Sequence, residues 1–273
     1  MLFRSLNDAR YSYTFCTSVY SGKPTGEPTR HYITGPEEVV KYLVTEMEQH
    51  GQLRGRNLTI DRLYTSLPLT QWLFDRGITV MGTIQNNRKG IPAEMKSTQG
   101  RDEHSYKVAW QKENKNITLH SYVVNTKSSG TKNVLLITTM KPILGVTKDD
   151  GKQKPAALKL YDYTKGGTDI VDQRAMNYTC KPKSNRWTIV AISFLLDTCR
   201  VNASTILALN QRNDPRKVDS FDFGFTLAEE LTRPFIQQRS LNGLPTSVTQ
   251  KIHRVLGMPE QQPPQPDLMG VHR

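Results

Sequence analysis

Cysteine is scarce: the 273 residues contain three, Cys16, Cys180 and Cys199, with no Cys-x-x-Cys pair among them. That argues against a disulfide framework and a cysteine-rich zinc module, and it fits a reducing compartment. Long apolar runs are also missing. The most apolar stretch, residues 188–196, is too short to cross a bilayer, and Asp197 and Arg200 follow it directly. No membrane partner is therefore expected. The opening MLFRSLNDAR lacks the apolar core of a secretory signal; it begins in what reads as a strand with no lead-in, as a truncated or partial chain would. The six histidines show no ligand spacing, and no internal repeat is present. Acidic charge is the last shortage: 25 Asp and Glu face 37 Lys and Arg, a net +12. Such a balance favours a polyanionic partner, nucleic acid before an anionic membrane surface.

Hydrophobic patterning divides what is there. Residues 1–35 alternate in the strand manner around an Asn7-Asp8 turn, with a Gly/Pro loop at 21–29 and a third short strand at HYIT. Pro36-Glu37-Glu38 opens a helix that Gly51 ends. NLTI reads as a buried strand, Thr65-Ser66-x-Pro68 as the start of a second helix stopped by Gly77, and residues 78–84 as another strand. Strand, helix, strand, helix, strand points to an α/β sheet. Residues 82–160 hold fourteen basic and six acidic residues, so they carry eight of the twelve excess positive charges. Their β-type runs, 106–110, 117–124 and 134–139, suggest a basic β-rich insertion or sheet extension. A helix opens at Thr168 after Gly166-Gly167. Residues 187–209 are apolar nearly all round, which predicts a long buried helix. Thr226 and Glu229 form a capping-box pattern for another helix, and Gly257 closes a last one from Pro245. The expected division is a core in two parts, 1–81 and 161–209, an insertion at 82–160, C-terminal helices at 210–258 and a disordered tail at 259–273.

Four carboxylates stand where folds place reactive ones. Asp8 follows the first strand and Asp61 follows the NLTI strand. Asp169 and Asp172 share a helix face at i, i+3. Converging from two strand ends and a helix, they would make a hard-oxygen site suited to Mg²⁺ or Mn²⁺. Each also has an ordinary reading. Asp8 suits any turn, Asp61 can cap the turn it begins, and acids are favoured at every helix N-terminus.

Four blocks in order change the balance: LTIDRLYTSLPLTQWL at 58–73, TVMGTIQNNRKGIP at 79–92, YDYTKGGTDIVDQ at 161–173 and CKPKSNRWTIVAISFLLD at 180–197. They resemble the transposase domain of the piggyBac family, including its domesticated transposon-derived members. The resemblance implies an RNase H-like core with a DDE/DDD acidic site. The family's second catalytic acid falls on Asp61, its third on Asp169, and a further acid of that helix on Asp172. The first falls on Asp8, where this chain reads Asp8-Ala9-Arg10-Tyr11 and the family often reads D-S-x-T-G-Y. Members also carry a long region before the core and a Cys-rich zinc finger after it, and three scattered cysteines cannot make that finger.

What the resemblance implies is DNA strand cleavage and transfer at a two-metal Mg²⁺ or Mn²⁺ site held by Asp8, Asp61, Asp169 and Asp172. Its DNA would be transposon ends and TTAA targets, handled in the nucleus by a homodimer. Arg62, Arg88, Lys89, Lys165, Lys181, Lys183 and Arg186 would line the DNA path. Trp187 would either stack on an unpaired base or begin the core face of the long helix; Trp72 and Trp110 are placed in the core. The competing readings are a transposon-derived DNA-binding protein without catalysis and a general RNase H-like nuclease.

Overall fold

The computed structural model describes residues 2–20, 33, 35–51, 53–126, 130–141, 145–149 and 152–258. Its first half is β1 (Leu2–Asn7), β2 (Thr14–Tyr20), α1 (Pro36–His50), β3 (Asn57–Ile60), α2 (Leu67–Asp75), β4 (Thr79–Thr83) and a short α3 (Ala93–Lys96). Then follow β5 (Tyr106–Trp110), β6 (Thr118–Thr126), β7 (Gly130–Thr138) and the ribbon β8 (Val146–Asp149) with β9 (Lys152–Pro155). Helices complete the chain: α4 (Ala156–Thr164), α5 (Gly167–Asn177), α6 (Trp187–Asn210), α7 (Ser220–Gln238) and α8 (Thr246–Leu256). Apart from Ile33, the HYIT strand lies outside the described residues, as does the tail expected at 259–273.

β3 and β4 run parallel, joined through α2 as a βαβ unit. β7 then pairs antiparallel with β4, and β6 and β5 follow as a meander, giving the order β3-β4-β7-β6-β5. The basic middle of the sequence thus extends the sheet. Because strand residues alternate in facing, the sheet has two core faces. Ile60 and Val80 pack with Val40 and Val44 of α1 and Leu69 and Leu73 of α2. Met81, Tyr122 and Leu136 pack with Ala157 and Leu158 of α4. Leu69 and Leu73 are fully buried, each worth roughly 1.5–3 kcal/mol relative to exposure. β1 and β2 form a separate antiparallel hairpin.

α6 departs from expectation. By length and composition alone it could span a bilayer. Yet its inward face is small and polar: Ala191, Ser193, Asp197, Thr198, Val201, Ser204, Thr205 and Ala208. Its large aliphatics point out, with Ile192 55% and Leu196 56% exposed. Close packing against the hairpin and α5 leaves room only for small side chains there. Trp187, at its first position, is 60% exposed and so does not begin the core face. Trp110 is also corrected: it lies on β5, the last strand of the sheet, and is 49% exposed. The capping box at Thr226 and Glu229 is not used. α7 starts earlier, where the Asp219 carboxylate accepts the N–H groups of Phe221 (2.7 Å) and Asp222 (3.1 Å), a charged cap at a positive helix end.

Candidate active site

Asp61 begins the turn that follows β3, and three contacts fix that turn. The Thr65 hydroxyl donates to the Asp61 carbonyl at 2.9 Å, and the Leu63 N–H donates to Asp61 Oδ1 at 2.9 Å. The Arg88 guanidinium donates to the Leu63 carbonyl at 2.5 Å. Gly82 on β4 makes this possible, because a β-carbon there would fall 2.7 Å from Thr65 Oγ1 and 2.8 Å from the Ile60 carbonyl. The glycine of the GTI word is thus a requirement of close approach.

Asp8 begins the β1–β2 turn. Its Oδ1 accepts the N–H groups of Arg10 (2.9 Å) and Tyr11 (2.5 Å), a side-chain-capped turn. α6 grips the same turn from behind. Asn202 both accepts from the Thr14 N–H and donates to the Thr14 carbonyl, each at 2.8 Å, and Thr205 donates to the Tyr11 carbonyl. Phe194 of α6 stacks on Phe3 of β1, ring centres 3.8 Å apart.

Asp169 lies in the first turn of α5, whose start is pressed onto the Asp8 turn. A β-carbon on Gly167 would meet Ala9 Cα at 2.9 Å. Asn7 donates to Thr168 Oγ1 at 3.0 Å. Burial pushes the Asp172 carboxyl above the usual range, and the neighbouring Asp169 charge adds to the effect. Asp162 hydrogen-bonds Lys165 at 2.6 Å and also bonds Lys154. Burial opposes ionisation of Asp162, but the two ammoniums outweigh it and hold the carboxyl below its ordinary value. The same hydrogen bond raises Lys165, and the Asp169 charge reinforces it.

Two cavities place these groups. One of about 370 Å³ is lined by Asp61, Tyr64, Tyr161, Lys165, Thr168 and Asp169, with α1 residues forming its floor. A second of about 590 Å³ holds Asp8, Asn7, Lys165, Gly167 and Thr168. Asp61 and Asp169 therefore share a cavity, Asp8 lines its neighbour, and Asp172 couples to the group through Asp169. Among the described residues, no three His, Cys, Asp or Glu side chains come together as a metal-holding group. As placed, the four acids do not form the donor set that Mg²⁺ or Mn²⁺ requires.

The basic residues fall into two kinds. Arg62, Lys89, Lys181, Lys183 and Arg186 are exposed. Lys181 and Lys183 line an open hollow with Thr179, Ser184 and Asn185 in the α5–α6 loop, and exposed Trp187 follows. That loop is held by buried Asp197, which accepts from Thr179 Oγ1 (2.5 Å) and the Cys180 N–H (3.0 Å). Arg88 and Lys165 are already engaged, with Leu63 and Asp162. Sequence patterns do not single out Asp197, Asn202 or Gly82, although all three lie in or beside the resembling blocks; their roles depend on contacts distant along the chain.

Comparison with known proteins identifies the family and the fold. The family model described as Transposase IS4 matches residues 3–204. PiggyBac transposable element-derived protein 2 of Homo sapiens is 26% identical over 190 residues, covering 65% of this chain and 30% of that protein. The fold matches that of a piggyBac transposase, solved by cryo-EM as a synaptic complex with hairpin DNA. The TM-score is 0.75 at 24% identity, over 97% of this chain and 52% of that one. The chain thus spans about a third of the curated relative and about half of the solved transposase. With three quarters of its length matched by the family model, the chain belongs to the Transposase IS4 family, of piggyBac type.

Proposed function

We propose that this chain is the catalytic domain of a piggyBac-like DNA transposase, with an RNase H-like core built from residues 1–81 and 161–209 around a β-rich insertion at 82–160. In this reading Asp8, Asp61 and Asp169, with Asp172 beside them, form the acidic site for strand cleavage and transfer. The observation that carries it is the shared cavity of Asp61 and Asp169, reached from a strand end and a helix start. Phosphoryl transfer to water or a 3′-hydroxyl needs no protein nucleophile, so the work of the protein is positioning and charge. Lys165 stands protonated at the cavity wall between the acids, where it can face a phosphate. Arg62 and Lys89 beside the Asp61 turn, and Lys181, Lys183 and Arg186 on the α5–α6 loop, would hold the DNA backbone, with Trp187 exposed to stack on an unpaired base. Arg88 serves the turn. The proposal includes divalent Mg²⁺ or Mn²⁺, transposon ends and TTAA targets as DNA, a homodimer, and residence in the nucleus.

The test compares wild type with Asp61→Asn on a pre-nicked DNA substrate in Mn²⁺. Asn is nearly isosteric, so fold and DNA affinity should persist while cleavage is lost. Equal cleavage by both would remove Asp61 from the site. Absence of cleavage in both, with DNA binding intact, would leave a transposon-derived DNA-binding protein as the better reading.

A further inference from the structure

β5 closes one end of the large sheet, and its outer edge is bare. β6 pairs with it on one side, and among the described residues no strand pairs with it on the other. The ladder to β6 runs from Ser105, whose carbonyl accepts the Val123 N–H, to Gln111, whose N–H donates to the Ile117 carbonyl. Residues along an antiparallel ladder alternate in the direction of their backbone groups, so Ser105, Lys107, Ala109 and Gln111 face β6. Tyr106, Val108 and Trp110 then hold their N–H and C=O groups outward, a row of donors and acceptors without partners.

The side chains mark the same edge. Trp110 is exposed at the end of the sheet, on the face where Tyr106 bonds His120, because residues two apart share a face. Edges that stay in water are commonly blunted by charge, proline or a bulge. Within residues 105–111 the only charged side chain is Lys107, there is no proline, and the register to β6 is unbroken. Charge gathers beyond the two ends instead. Exposed Asp102 and Glu103 precede the strand, while exposed Lys112 and Lys115 follow it with one acid, Glu113, between them. Arg101 is turned inward onto Ser105 and Ser121. One end is thus net acidic and the other net basic, and antiparallel pairing with an identical strand sets each end against its opposite.

We propose that two copies of this chain join edge to edge through β5, antiparallel about a two-fold axis at Val108, the midpoint of residues 105–111. The axis fixes the register. Val108 meets Val108 of the second copy, Tyr106 meets its Trp110 and Lys107 meets its Ala109. An aromatic pair therefore forms on each side of the axis, and no like charges stand opposite within the ladder. Moving the axis one residue back would set Lys107 against its own copy. The two sheets become one, with β3-β4-β7-β6-β5 continuing into β5-β6-β7-β4-β3 of the second copy, and both bare edges are satisfied at once. The contact lies four strands from β3 and the Asp61 turn. It goes beyond the proposed function and depends on neither DNA nor a divalent cation.

Sedimentation of the whole chain at rising concentration, without DNA or metal, tests this. Wild type should pass from monomer to dimer. Val108→Pro removes the outward N–H at the axis without taking a bond from β6. Because the symmetric contact then loses two hydrogen bonds, the dimer should weaken by about tenfold or more. Cross-linking reads the register and decides the matter if the proline variant fails to fold. Val108→Cys should form a disulfide with its own copy, the Cα atoms standing about 5.5 Å apart. Lys112→Cys, roughly 26 Å from its copy at the ordinary strand rise, should link no more than wild type, whose Cys180 and Cys199 are exposed. A monomer at every concentration would overturn the contact. So would a dimer that Val108→Pro leaves unchanged, or a Val108→Cys chain that links no better than Lys112→Cys.

Discussion

His120 is fully buried in β6, and its hydrogen bonds assign its proton. The Thr118 hydroxyl donates its hydrogen to the Thr138 carbonyl, so toward His120 Nε2 it acts as acceptor and the ring carries hydrogen on Nε2. His120 Nδ1 then accepts from the Tyr106 hydroxyl at 2.5 Å. Burial lowers the ring from 6.5 to about 4 and raises Tyr106, so the one stays neutral and the other stays a donor. Because the folded ring binds its proton more weakly than the unfolded one, the stability it contributes is complete above about pH 6.5. It is lost as pH falls toward 4, by on the order of 3 kcal/mol. Urea midpoints of wild type should fall across that window more steeply than those of His120→Gln; parallel profiles would mean the folded ring is charged. Gly167→Ala gives a second residue-scale expectation. Its new β-carbon meets backbone at Ala9, so it should cost about 1–3 kcal/mol, whereas Gly224→Ala, with nothing nearer than 3.6 Å, should gain up to about 1 kcal/mol of helix propensity. Thermal denaturation of both variants orders them, and equal shifts would remove the close approach as the reason for the glycine.

At the scale of elements, legibility follows how local each signal is. Pro36 and Gly51 bound α1, Ser66 caps α2 through the Leu69 N–H, and Gly257 ends α8 at φ 68°, all as their sequence signals imply. α4 has no such signal, since Pro155 precedes it without a capping side chain, and its place is set by packing under Met81 and Leu136. α6 differs from its sequence expectation because apolar composition alone does not say which face turns inward. Its small and polar face does, since the hairpin and α5 approach it closely. Ala191→Leu should therefore cost about 1–3 kcal/mol by overpacking, and Leu196→Gln should stay within about 0.5 kcal/mol. A costly Leu196→Gln, read by denaturant midpoint, would mean that face is covered in solution.

For the whole molecule, the resembling words contain Asp61 and Asp169, which line one cavity, while Asp8 lines the next, and the spacing of Asp169 and Asp172 is readable from helix geometry. The split between hairpin and sheet is not readable, because β1 and β3 lie about fifty residues apart and their relation leaves no local pattern. The same distinction decides how charge is used. A net +12 says only that polyanions are attracted, at non-specific affinities of about 10⁻⁴–10⁻⁶ M and with steep salt dependence. If the DNA path crosses the α5–α6 loop, Lys181, Lys183 and Arg186 meet phosphates directly. Replacing all three with Ala should then flatten the slope of log affinity against log salt by roughly 0.9 for each phosphate no longer neutralised. Lys107, Lys112 and Lys115 are exposed in and just beyond β5, four strands from β3, roughly 19 Å away at ordinary strand spacing. That exceeds a Debye length of about 8 Å at physiological salt. Replacing those three removes the same charge from the molecule yet should leave the slope nearly unchanged. Equal flattening by both triple variants would mean that overall charge, and no particular path, carries the binding.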